Sequence, residues 1–193
     1  MRILFNLVLL ALIGLLAYLL YSGIAEPIKF KAEKDKRKNA VVESLENIRT
    51  SQELYREITG EYAPDFATLA QVLKTDSIPF RQVLEDPDFP GDPEKFIVNI
   101  IKYSAIDSIN AMGIDLDNLS DVPFSDNAKF SIAADTMTYQ KTNVWVTETM
   151  TQWKQFMGPY ADSRYMKYDD QYNPEASIGF GSMNSPNLEG NWK

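Results

Sequence analysis

The chain has 193 residues, of which 45% are apolar and 24% charged, a composition that can bury the core of a folded domain and is not typical of disorder. It contains no Cys and no His, which excludes disulfides and thiol nucleophiles and removes the commonest general base and metal ligand. Catalysis by carboxylates or lysine alone stays open and would need an acid pair in a concave pocket, but we expect no enzyme activity and no cofactor. The net charge is −8, and residues 39–193 carry 12 basic against 24 acidic side chains, which opposes binding of this part to nucleic acid.

Residues 3–24 form an uncharged apolar segment of 22 residues. A helix of this length measures about 33 Å, enough to cross a hydrocarbon core of roughly 30 Å. A cleaved signal peptide is the alternative, but the apolar part of such a peptide has only about 7 to 15 residues. We therefore predict a retained transmembrane anchor over residues 1–25, in which Asn6 and Gly14 are the candidate helix–helix contacts.

A basic cluster follows the apolar segment. Its members are Lys29, Lys31, Lys34, Lys36, Arg37 and Lys38, set against Glu33 and Asp35. These six cations are candidate contacts for lipid headgroups. The positive-inside rule applied to this count places the following domain in the cytoplasm, whereas a basic stalk can equally bind anionic headgroups on the outer side of an inner membrane.

Residues 26–60 are predicted to form an amphipathic helical stalk. Val41, Leu45, Ile48 and Tyr55 recur at a spacing of three or four, and Gly60 supplies the stop. The short distance from the anchor predicts one rod of about 55 residues, with a kink at the intervening proline.

Residues 61–160 are predicted to form an α+β globular domain, in which the long N-terminal helix packs on a small antiparallel sheet. Asp65 is a predicted N-cap for a short helix over 66–74, and three prolines and a glycine in 87–93 predict a loop. Strands are predicted at 96–104, 130–133 and 144–147, with a turn at 141–143. Residues 161–193 are predicted to be an irregular C-terminal segment.

Two acidic clusters resemble the oxygen-ligand loops that bind calcium. They are Asp86, Asp88 and Asp92, and Asp115, Asp117 and Asp121. Neither has the central Gly and terminal Glu of an EF-hand, so we interpret both as solvated turns and predict no metal site.

Aromatic residues are concentrated toward the C-terminus. The set comprises Trp145, Trp153, Tyr160, Tyr165, Tyr168 and Tyr172. They form either a platform that binds a sugar or a peptide, or part of the packed core and its rim, and we favour packing.

One stretch resembles a known family. Residues 46–69 read ENIRTSQELYREITGEYAPDFATL, similar to the end of the long helix and the following turn in type IV pilins and type II secretion pseudopilins. The whole chain, including VPFSDNAKF at 122–130 and Gly190-Asn191-Trp192, also looks like uncharacterised, membrane-anchored pseudopilin-like envelope proteins of Bacteroidetes. Phe5 and Asn6 stand where pilins have an early Glu, so we expect neither prepilin-peptidase processing nor filament assembly by the family's charge pairing.

The resemblance implies a single-pass bacterial inner-membrane protein with a pilin-like domain in the periplasm, and we favour this location over the one the charge count gives. It would act as a structural or adaptor subunit of a cell-envelope assembly for secretion or energy coupling. Its partners would be the inner membrane, other membrane-embedded envelope proteins and, in a homo-oligomer, further copies. The alternative is a membrane-tethered binding module for glycan, peptidoglycan or an outer-membrane polypeptide.

Overall fold

The computed structural model describes residues 2–85 and 96–192 and has an α+β architecture. The helices are α1 (Arg2–Thr59), α2 (Phe66–Thr75), α3 (Ala105–Ala111) and α4 (Trp153–Met157), with 3₁₀ helices at Gly158–Tyr160 and Ser163–Tyr168. The strands are β1 (Ser77–Glu85), β2 (Phe96–Ser104), β3 (Ser131–Tyr139), β4 (Thr142–Gln152) and β5 (Ser177–Gly181). The predicted α+β class, with a long N-terminal helix and small antiparallel sheets, is confirmed.

Helix α1 is a single element of 58 residues that stays helical across Pro27. At about 1.5 Å per residue it is about 87 Å long. Its upper part carries the predicted stripe, with Val41, Leu45 and Ile48 fully buried. The helix ends at Gly60, which has a φ of +85° and donates its N–H to the Arg56 carbonyl over 2.8 Å, as expected of a C-terminal glycine cap.

The chain that leaves α1 is held by one buried side chain. The Gln52 amide donates to the Ala63 carbonyl over 2.9 Å and accepts from the Ala63 N–H over 2.8 Å. Two backbone groups that would otherwise lie buried and unpaired are thereby satisfied. Asp65 then caps α2 by accepting from the Thr68 N–H over 2.8 Å, as the sequence predicted.

A three-stranded antiparallel sheet in the order β3-β4-β5 packs with α1 and α4 around the main core. The β3–β4 turn falls at Gln140 and Lys141, both with positive φ, rather than at 141–143. A two-residue turn of this kind matches the twist of a hairpin, so β3 extends to Tyr139. The strand therefore includes residues 134–139, which the sequence analysis did not assign to a strand.

Strand β5 corrects the prediction of an irregular segment over 161–193. Ile178 and Phe180 are buried in the core, while Gly179 and Gly181 face the β4 backbone. A Cβ built on Gly179 would lie 2.1 Å from the Thr149 carbonyl oxygen, so only glycine permits this approach. Glycine-rich sequence therefore forms a strand where it is usually read as coil.

Strands β1 and β2 form a separate two-stranded antiparallel sheet, which we call the arm, with Ser77 opposite Ser104 at its base. The sequence predicted β2 but missed β1, which contains Pro79, a residue that is rare within strands. Pro79 is tolerated because β1 is an edge strand, with β2 as its single neighbour among the described strands. The predicted loop at 87–93 lies outside the described residues.

Candidate interaction surfaces

The lower part of α1 is long and apolar enough to span a membrane, by length and composition. Its large apolar side chains are all exposed, from Ile3 at 78% to Leu9 at 46%. The two candidate helix–helix contacts lie on this exposed part: Asn6 is exposed, and nothing lies within 4 Å of a Cβ built on Gly14. Both positions are accessible to another helix, and the helix-contact assignment stays a prediction.

The structure divides the basic cluster into two groups. Lys34 donates to the Asp169 carboxylate, and Arg37 donates to the Phe156 carbonyl over 2.7 Å and to Glu33 over 3.1 Å. These two cations attach α1 to the C-terminal part of the domain. The hydrogen bond from Lys34 lowers the pKa of Asp169 below its ordinary value.

The other cations of the cluster differ in height and exposure. Lys29 and Lys31 are exposed on the turns nearest the apolar segment. Lys36 lies 5.7 Å from the centre of the Phe124 ring, and Lys38 lines a cleft with Trp192. At roughly 1.5 Å of rise per residue, they lie about 10 Å and about 14 Å above Lys29 along the helix. The headgroup prediction therefore rests geometrically on Lys29 and Lys31.

The tyrosine run packs around one ring of α1. The Phe30 ring centroid lies 5.1 Å from those of Tyr165 and Tyr172 and 5.9 and 6.2 Å from those of Tyr160 and Tyr168. Tyr172 donates to the Tyr160 carbonyl over 2.7 Å, and burial raises the pKa of Tyr172 to about 12. The packing interpretation is confirmed for Tyr165 and Tyr172, which are almost completely buried.

The two tryptophans of the aromatic set are separated in the fold. Trp153 contacts the Tyr172 ring edge-on at 5.7 Å, within the aromatic packing. Trp145 instead lines a cleft of about 520 Å³ beside Arg56 and Tyr62, at the far end of α1. The aromatic set is therefore not one continuous platform.

The described acidic cluster is engaged in local contacts. Asp115 accepts from the Asn118 amide over 2.7 Å and from the Asp117 N–H over 3.0 Å, which lowers the pKa of Asp115. Asp117 pairs with Lys74, and Asp121 lies 3.4 Å from Lys129. Within residues 2–85 and 96–192 no group of three or more acidic side chains is placed to hold a metal ion. Asp86, Asp88 and Asp92 lie outside the described residues.

The arm presents apolar side chains on both faces, a feature that the sequence did not reveal. One face carries Phe80, Leu84 and Ile97, and the other carries Val83, Val98 and Ile100. All six are exposed, Val83 at 63% and Ile100 at 56%. Among the described apolar residues of the arm, Ile78 at its base is the one that packs against the core. The sequence predicted a strand at 96–104, but the exposure of its apolar side chains could not be predicted without β1.

Comparison of the chain with protein-family models, curated proteins and solved structures finds no match. What the fold defines is therefore a class: an α+β domain built on the upper half of a helix whose lower half is a candidate membrane span. The resemblance to pilins stays a prediction.

Proposed function

We propose that the protein is a non-enzymatic, single-pass inner-membrane protein whose pilin-like domain lies in the periplasm and acts as a structural or adaptor subunit of a cell-envelope assembly, for secretion or energy coupling. The observation that carries this proposal is the exposed apolar arm, borne by a domain that shares one helix with the candidate span.

The shared helix supports a structural role rather than a loosely tethered one. Phe30, Leu45 and Ile48 of α1 are buried in the domain core, and the same helix continues without a break into the apolar segment. A flexible linker would let the domain turn independently of its anchor. Because α1 belongs to both parts, the orientation of the span in a membrane is transmitted directly to the domain.

The arm supports contact with a partner protein. An isolated two-stranded hairpin is only marginally stable in water, and exposed apolar patches on soluble surfaces mark interaction sites. The outer edges of β1 and β2 also carry backbone groups that no other strand pairs in the described sheets. A partner strand can therefore add hydrogen bonds at an edge while apolar side chains cover a face, as in β-augmentation.

Co-purification from native membranes tests the role of the arm. Val83→Asp and Ile100→Asp place a charge on the exposed apolar face, and we expect each to abolish retention of membrane-protein partners by the tagged full-length chain. Tyr139→Asp is the matched control, because it makes the same kind of change at an exposed position on the β3–β4 hairpin. Retention of every partner by both arm variants, with unchanged thermal unfolding, would contradict the proposal.

Two differently tagged copies expressed together distinguish a homo-oligomer from a mixed assembly. If the arm binds a second copy, one tag recovers the other, and Ile100→Asp in both copies abolishes that recovery. If the partner is a different protein, the tags do not co-purify while the partner does.

The binding-module alternative now rests on the cleft beside Trp145, because the tyrosine run packs around Phe30. Arg56 and Asn143 supply polar groups there, and the Trp145 ring supplies an apolar wall. This alternative predicts that the full-length chain is retained on immobilised peptidoglycan and that Trp145→Ala abolishes retention. Val83→Asp and Ile100→Asp would leave retention on peptidoglycan unchanged, so this experiment distinguishes the binding module from the assembly subunit.

A further inference from the structure

The domain contacts α1 along its length down to the residues that follow the apolar segment. Lys34 contacts Asp169, Phe30 contacts the tyrosine rings, and Glu26 accepts a hydrogen bond from the Tyr168 hydroxyl over 2.6 Å. Glu26 lies about 12 Å below Lys34 along the helix axis. The C-terminal segment therefore contacts α1 at the first charged residue after the span.

A cleft opens between this segment and the upper end of the span. It has a volume of about 510 Å³, with Tyr18 and Tyr21 on the side of the span and Tyr160 and Tyr165 on the side of the domain. Lys29 also lines it. The cleft is thus bounded by aromatic rings and has one cation, Lys29, and one carboxylate, Glu26, in its lining.

The depth of this cleft follows from the length of the apolar segment. Residues 3–24 measure about 33 Å against a hydrocarbon core of roughly 30 Å, so the hydrocarbon ends near Tyr21 and the headgroup layer begins there. Tyr and Trp rings concentrate at this boundary in membrane proteins. A cleft lined by Tyr18, Tyr21 and Lys29 therefore lies at the depth of the lipid headgroups.

Basic side chains gather at the same level. The Arg164 guanidinium lies 4.0 Å from the Glu26 carboxylate and 4.6 Å from the centre of the Tyr165 ring. Lys167 lies 4.6 Å from the centre of the Tyr168 ring. With Lys29, which lines the cleft, the basic side chains at this level number three. On the C-terminal segment itself, Asp169 is paired with Lys34 higher up the helix and Glu175 with Lys154, while Asp162, Asp170 and Glu189 are exposed.

We infer that the base of the domain, formed by Lys29, Tyr160, Arg164, Met166 and Lys167, rests on the surface of the bilayer, with phospholipid headgroups occupying the cleft. Its cations bind the headgroup phosphates, and Met166, which is 41% exposed, lies in the interfacial layer. This inference requires the span to cross a membrane, but it does not depend on the assembly role of the arm.

Depth-dependent fluorescence quenching tests the inference on the full-length chain. Because the sequence has no Cys, Met166→Cys carries a single fluorophore, and the protein is reconstituted into vesicles of phosphatidylcholine and phosphatidylglycerol in equal parts. We expect strong quenching by lipids that carry a nitroxide on the headgroup. The matched control is Glu57→Cys, which is exposed on the same helix about 46 Å above Glu26 and should not be quenched.

A third label distinguishes a base that does not contact the bilayer from an anchor that does not insert into it. Leu12→Cys lies in the middle of the apolar segment and should be quenched by a nitroxide deep in the acyl chain. Quenching at position 12 without quenching at position 166 overturns the inference and leaves the anchor intact. Absence of quenching at both positions overturns the anchor as well, whereas the assembly role is read independently by co-purification.

Removal of charge tests the headgroup chemistry. Arg164→Gln and Lys167→Gln should each weaken docking on the anionic vesicles by about fivefold, seen as lost headgroup quenching of the Met166→Cys label. The effect should shrink in vesicles of phosphatidylcholine alone. Lys141→Gln, an exposed lysine in the β3–β4 turn, is the matched control and should change nothing. Unchanged quenching in both base variants, with thermal unfolding unaltered, would overturn the role of these cations.

Discussion

Individual side chains fix the two ends of the soluble part of α1. At the upper end the Gln52 amide satisfies both backbone groups of Ala63, and at the lower end Lys34 and Arg37 reach the C-terminal part of the domain. Gln52 and Ala63 are 11 positions apart in the sequence, and Lys34 and Asp169 are 135 positions apart. Polar side chains on a mainly amphipathic helix therefore set how the rest of the chain is attached to it.

Replacing Gln52 with Leu should lower the free energy of unfolding by about 3 kcal/mol, because the Ala63 N–H and carbonyl would both stay buried without a partner. The measurement is denaturant unfolding in detergent. Gln71→Leu is the control, since Gln71 is exposed on α2 and the same change there should cost about 0.5 kcal/mol or less. Equal effects of the two substitutions would show that the Ala63 contact is not stabilising.

Asp169 should make stability depend on acid pH. Its pKa is lowered in the folded protein by Lys34, so the unfolded chain binds a proton first as the pH falls. The stabilisation is fully present above the ordinary pKa of about 3.9 and is lost as the pH falls below it through the folded pKa. Asp169→Asn should flatten this part of the stability profile, and Asp170→Asn, an exposed neighbour, should leave it unchanged.

At the scale of elements, the C-terminal segment is attached to α1 through Phe30. Phe30→Ala removes the ring that contacts four tyrosines and should lower the free energy of unfolding by about 3 to 5 kcal/mol. Phe80→Ala makes the same change at an exposed position on the arm and should have little effect on stability. Limited proteolysis should cleave the chain on the C-terminal side of residue 158 in the Phe30 variant only. Resistance to cleavage in both variants would contradict the account.

Helices α1 and α2 could be predicted from the sequence, and the strands only in part. Apolar spacing and Gly60 define the upper half of α1 and its end, and Asp65 defines the start of α2, because these signals are local. Strand β1 was hidden by Pro79, and β5 by its two glycines, since both depend on which strand lies beside them. The local sequence of a strand does not show which other strand will lie beside it.

The candidate surfaces could be predicted to a smaller extent. The sequence identified the basic cluster but could not show that Lys34 and Arg37 bind the domain, because their partners lie more than a hundred residues away. Phe30 stands among lysines and gives no sign of being the centre of the aromatic packing. The arm and the cleft at the base arise only from the tertiary arrangement.

At the scale of the whole molecule, the lower half of α1 is expected to act as an assembly surface as well as an anchor. Asn6→Leu should weaken co-purification with membrane-embedded partners, because it removes the polar group that can hydrogen-bond across helices. Leu12→Ala is the control, since it changes the size of an exposed apolar side chain and keeps the segment apolar. Full retention of every membrane partner by the Asn6 variant would count against this role.

We propose a single-pass anchor with its domain in the periplasm, and labelling of one cysteine tests this proposal most directly. Glu57→Cys is exposed at the top of α1 and is the only thiol in the variant. In intact spheroplasts a membrane-impermeant maleimide should label it fully without lysis, whereas Leu12→Cys should stay unlabelled within the bilayer. Labelling of position 57 only after lysis would place the domain in the cytoplasm and contradict the account.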